Sequence, residues 1–264
     1  MRSRCHVLIA TRAFADIIVC VYLIQVRTDA LVGNTFMTSR QCVLRVAYGL
    51  VFENLQCSIG LALGVDRLLA IVTPVQYMKW PARQYLLLLL VPCCTFSLVL
   101  ASFALWESSG EPRAAICFSP SAYTNRAKMA WLGSNVAVIL LQFAVYFYAS
   151  MALGKTTGSS SIQMRKILLS LQTVMVLYSI CWALPIFGNL LLQMITVSGD
   201  AANIIKSMLG WPMILNASCN FFIYATRSSE FRHAFLRLFS GKNTKTTPTD
   251  RITIPKASQL PKIA

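Results

Sequence analysis

Asp66-Arg67-Leu68 closes an apolar stretch that Cys42 opens, and 25 residues separate Cys42 from Arg67. At a helical rise of about 1.5 Å per residue that is roughly 37 Å, slightly more than a hydrocarbon core of about 30 Å. An acid beside an arginine can hold the guanidinium in one rotamer and release it when the acid is neutralised. Alone, such a pair reads as an interfacial ion pair that snorkels; one membrane thickness from a cysteine, it reads as a two-state element at one end of a membrane-spanning helix. Arg12, Asp16, Arg45 and Glu53 also lie in apolar runs. There each costs about 2.5–3.5 kcal/mol on insertion scales and needs a partner or a role.

Membrane helices must position these groups. Of 264 residues, 56% are hydrophobic and 12% charged, and the mean hydropathy is +0.60. Apolar runs of spanning length at residues 7–26, 43–71, 85–106, 129–153, 167–196 and 201–226 predict six crossings. Met1-Arg2-Ser3-Arg4 leads directly into the first run, which reads as a retained helix rather than a cleaved signal.

The net charge of +15 is unevenly distributed. With the C-terminus inside, fifteen Lys and Arg fall in the N-terminal flank, the loops at 72–84 and 154–166, and the tail. The opposite loops hold six, beside Asp29, Glu107, Glu111 and Asp200. That bias predicts a multi-pass plasma-membrane protein with a cytosolic C-terminus, embedded in a lipid bilayer, and argues against nucleic acid as a partner.

Six of the nine cysteines, Cys20, Cys57, Cys93, Cys94, Cys181 and Cys219, sit within spans, where a thiol behaves as a small apolar group. Cys42 and Cys117 fall on the outer, oxidising side, which predicts a disulfide. No metal-ligand spacing or catalytic constellation occurs, so the chain reads as non-enzymatic. The Gly-Lys-Thr-Thr-Gly-Ser-Ser-Ser run at 154–161 lacks the frame of a phosphate-binding loop and reads as a linker. Segment 107–128, with Gly110, Pro112 and Pro120, has no clear period and reads as an outer lid or vestibule. The bundle is thus expected over 1–226, followed by an amphipathic surface helix at 227–240 and a disordered tail at 241–264.

These positions resemble, in family order, the rhodopsin-like G-protein-coupled receptors. Ala13-Phe14-Ala15-Asp16 is similar to the helix whose aspartate binds sodium in that family, and Cys42 to Asp66-Arg67-Leu68 is similar to its central helix, with Leu68 replacing tyrosine. Cys181-Trp182-Ala183-Leu184-Pro185 and Asn216-Ala217-Ser218-Cys219-Asn220-Phe221-Phe222-Ile223-Tyr224 resemble its last two helix motifs. The Gly64–Ala70 run and the proline-free Asn-Phe-Phe-Ile-Tyr end look most like nematode serpentine chemoreceptors of the Srsx type.

The resemblance implies an all-α, rhodopsin-like seven-helix architecture represented by six helices, with the family's first helix expected upstream of Met1. It implies chemosensory or peptide reception and a heterotrimeric G protein that engages Arg67, with Tyr224 restraining the open state. Rival readings are a truncated, non-signalling receptor and, from another class, a six-span transporter or channel subunit. Residues 1–132 and 133–264 show no internal repeat that would favour the latter.

No cofactor is expected beyond an allosteric sodium ion at Asp16, Asn216 and Asn220. Against it, Gln56 replaces the family's small hydroxyl, and Arg12 lies one turn from Asp16. An extra residue between Trp182 and Pro185 sets Trp182 apart from the family's pocket floor, and Phe221 replaces a proline. Gly49 stands where amine receptors carry an aspartate, which disfavours an aminergic ligand. Arg45 and Glu53 share roughly one face of the outer half of the central helix. They could take a zwitterion or peptide terminus, or pair with each other or with Asn54 and Gln56.

Overall fold

A bilayer leaves backbone polar groups no water to bond with, so an apolar chain crosses it as helices. The computed structural model describes residues 2–33, 36–108, 112–114 and 117–154, with isolated helical positions Val176, Ile180, Cys181, Leu184, Met208, Trp211, Pro212, Ile214 and Leu215. Its elements run α1 (Arg2–Leu31), β1 (Phe36–Thr38), α2 (Ser39–Val72), α3 (Pro74–Lys79), α4 (Ala82–Glu107), β2 (Pro112–Ala114), α5 (Ser119–Ala122) and α6 (Asn125–Gly154). Four helices, α1, α2, α4 and α6, are long and apolar enough to cross a membrane. They correspond to the first four expected spans. Apart from the isolated positions, the fifth and sixth spans, the surface helix and the tail lie outside the described residues.

The helices outrun their apolar stretches because helical backbone continues into the interface until a local signal stops it. After α1, Val32 N–H donates to Thr28 O at 3.0 Å and Gly33 adopts φ +78°, the left-handed conformation that turns the chain away. α2 begins with a capping box: Thr38 Oγ1 accepts from Gln41 N–H at 3.2 Å, and Gln41 Oε1 accepts from Thr38 N–H at 3.1 Å.

The bundle carries apolar side chains on its outer faces as well as in its core. Phe14, Ile17, Val21 and Ile24 recur at helical spacing on the exposed face of α1, while Arg12, Asp16 and Tyr22 are buried. In α2, 72% of the apolar stretch is buried, against 39% in α1, 17% in α4 and 22% in α6. α2 is therefore the central helix, and the other three present apolar side chains outward.

Both connecting regions carry more structure than their sequence period reveals. At one end, β1 pairs antiparallel with β2 in the register Phe36↔Ala114, Met37↔Arg113 and Thr38↔Pro112. The expected aperiodic lid at 107–128 thus contains a strand and the four-residue helix α5. At the other end, Pro74 opens α3 inside the expected 72–84 loop, in the first helical turn where its missing N–H costs nothing.

Candidate functional site

α2 carries the candidate chemistry at both ends. At the β-sheet end, Cys42 and Cys117 form the expected disulfide, with Cα atoms 5.5 Å apart. The chain then dips inward instead of running over the surface. Ser119 N–H donates to Tyr22 Oη at 2.8 Å, the Ser119 and Tyr22 hydroxyls lie 2.7 Å apart, and the Ser119 hydroxyl donates to Glu53 Oε2. Beside this chain, Asn54 Nδ2 donates to Tyr123 Oη at 2.9 Å, and Tyr123 stacks on Trp131 with ring centres 5.0 Å apart. Burial pushes the Tyr123 hydroxyl pKa up, so it stays protonated.

Arg45 and Glu53 do not converge. Arg45 pairs with Asp29 of α1 at 2.5 Å and is half-exposed, whereas Glu53 is 2% exposed. Eight residues leave the two about 80° apart around the helix at 3.6 residues per turn. The two thus stand as separate groups, and among the described residues Glu53 pairs with none of Arg45, Asn54 and Gln56.

At Gly49 a side chain of α1 lies against the α2 backbone. A Cβ built there would overlap the Tyr22 ring, so the position that amine receptors give to an aspartate is filled by an aromatic side chain from α1. Gly49→Ala is expected to lower thermal stability by roughly 1–3 kcal/mol through overpacking. In a double-mutant cycle, Gly49→Ala combined with Tyr22→Ala should be less destabilised than the sum of the singles. Strict additivity in thermal unfolding would count against the contact.

Midway along α2, Gln56 Nε2 donates to Asp16 Oδ1, and Arg12 is buried one turn away on α1. Asn216 and Asn220 lie outside the described residues, as do Trp182 and Tyr224.

At the opposite end, Asp66 is fully buried and both its oxygens are engaged. Arg67 Nε donates to Oδ2 at 2.9 Å with a second bond from its terminal nitrogen, while Tyr77 and Tyr85 hydroxyls donate to Oδ1 at 2.9 and 3.2 Å. Burial pushes the Tyr77 hydroxyl pKa up, and the Asp66 carboxylate adds to that shift, so the hydroxyl remains a donor. Arg4 braces the tyrosines: its guanidinium donates to Tyr77 O at 2.6 Å and to Trp80 O, and lies 4.9 Å from the Tyr77 ring centre. Leu68 packs against the core beside the pair.

Sequence reasoning found Asp66, Arg67 and Cys42–Cys117 but missed Tyr77, Tyr85, Tyr22 and Ser119. Thr73-Pro74 signals a helix start that carries Tyr77 back toward Asp66, and the Cys117 tether signals that Ser119 must lie over α2. No curated protein matches the chain. With helices apolar enough to cross a membrane, and residues 1–239 matched by the sequence model of the family described as serpentine type 7TM GPCR chemoreceptor Srsx, the chain belongs to that family of multi-pass membrane receptors.

Proposed function

We propose that the chain converts binding of a small-molecule or peptide ligand at the disulfide end of α2 into activation of a heterotrimeric G protein at the Asp66 end. The supporting observation is the closed arrangement at that end. Arg67, 7% exposed, is held by an acid whose other oxygen is occupied by two tyrosine hydroxyls. In this reading the pair is the resting state, and a ligand that favours a second arrangement frees the guanidinium for a cytosolic helix of the G protein. Movement of the fifth and sixth spans accompanies the release, and Tyr224 restrains the open state.

Orientation follows from charge. Arg4 lies at the Asp66 end and the 72–84 segment adds Lys79 and Arg83. The end that the charge bias assigns to the cytosol of the plasma membrane is thus the end that carries Arg67.

Nucleotide exchange on co-expressed G proteins, measured for basal activity and against a panel of chemical stimuli, tests the proposal. Arg67→Ala should reduce exchange, normalised to the receptor present at the surface, to the level of cells lacking the receptor. Exchange equal to the parent's at equal abundance would overturn the coupling role of Arg67.

A further inference from the structure

Loops ordinarily stay on the surface because buried backbone groups need partners. The segment after Cys117 is an exception: Ser119, Ala122, Tyr123 and Thr124 are each no more than 2% exposed. Its inward course is held by the contacts of Ser119 with Tyr22 and Glu53 and of Tyr123 with Asn54. These leave the acid incompletely satisfied. Among the described residues, Glu53 Oε1 is buried without a hydrogen-bond partner, and Arg45, two turns toward the outer end, is committed to Asp29. A buried carboxylate oxygen without a donor carries a desolvation cost that a suitable ligand can remove.

We propose that segment 117–124 is a displaceable plug seated on Glu53, and that Glu53 receives a cationic group of the ligand when Ser119 lifts away. This rests on the receptor reading above and names the chemistry of its pocket. The serine hydroxyl supplies one proton to one oxygen; an ammonium or guanidinium supplies several and can serve both oxygens as charge-assisted bonds. An anionic ligand would meet the Glu53 carboxylate. The disulfide keeps the displaced segment attached. A cavity of about 190 Å³ lined by Cys117, Pro120, Ser121 and Tyr123 lies against it.

Charged thiol reagents applied to intact cells test the proposal without a known ligand. A cationic and an anionic methanethiosulfonate of similar size are compared on Ser119→Cys and, as a near-isosteric second position in the segment, on Ala122→Cys. The parent chain serves as the blank and Pro120→Cys, at a half-buried position, as the control, and each rate is divided by that reagent's rate with a small free thiol. The cationic reagent should label Ser119→Cys about tenfold faster than the anionic one, and Glu53→Gln should bring that ratio close to one. Ala122→Cys should shift in the same direction, whereas the ratio at Pro120→Cys should change little with Glu53→Gln.

A ratio at both buried positions that ignores Glu53→Gln would overturn the cation assignment. Absence of labelling at both, with Pro120→Cys reacting normally, would overturn displacement and leave a fixed structural loop. Labelling does not depend on G-protein coupling, so its failure leaves the Arg67 result standing, and the reverse also holds.

Discussion

Cys117→Ser is expected to destabilise the chain by about 2–4 kcal/mol and to lower its surface abundance severalfold. The disulfide spans a sequence separation of 75 residues that contains α2 from Cys42 onward, α3, α4 and β2. Loop-closure entropy for that separation corresponds to about 4.5 kcal/mol in a freely coiling chain. Helices already inserted in a bilayer have less freedom to lose, which sets the lower end of the range. The local consequence is larger than the global one, because Cys117 lies two residues before Ser119 and three after β2. Releasing it loosens both β2, the strand paired with β1, and the segment seated on Glu53. Thermal unfolding in detergent checks this with an internal control: Cys42→Ser, Cys117→Ser and the double variant remove the same bond and should agree within about 0.5 kcal/mol. A double variant as unstable as the sum of the singles would mean that the cysteines act separately.

The central helix was legible because its two ends announce themselves at membrane spacing. Cys42 and Asp66-Arg67 bracket a run whose length has a physical scale, and α2 is the most buried of the described spanning helices. What touches α2 was much less legible. Gly49 stood out as an absent side chain, yet that Tyr22 fills the space depends on how α1 rotates against α2, which no local period encodes. Arg45 offered itself to Glu53 along one helix; Asp29, 16 residues away across the connection between α1 and α2, is the partner. Ser119 was hidden for a different reason. A four-residue helix and a three-residue strand are too short to display a hydrophobic repeat, so their positions are set by the disulfide and by paired backbone rather than by patterning. Asp16 shows the opposite case: Gln56, noted as a departure from the family's small hydroxyl, is the residue that donates to it.

Asp66→Leu is expected to be the most destabilising single change at the Arg67 end, by about 3–5 kcal/mol. It leaves the guanidinium buried without its counter-charge and deprives the Tyr77 and Tyr85 hydroxyls of their common acceptor. Asp66→Asn removes the charge but keeps the shape and one acceptor oxygen for the tyrosines, so its cost should fall well below that of leucine. Replacing both members, Asp66→Leu with Arg67→Met, removes the stranded charge as well and should recover most of the loss, since a buried pair contributes little over apolar residues of similar volume. Stability should therefore be higher for both the double variant and Asp66→Asn than for Asp66→Leu. Signalling should follow another order: Asp66→Asn releases an intact Arg67 and raises basal nucleotide exchange above the parent's, while the double variant falls to background. A pair that served only to hold the helices together would give exchange that tracks stability across the series. Divergence of the two orders, with surface abundance matched, is what a switch requires.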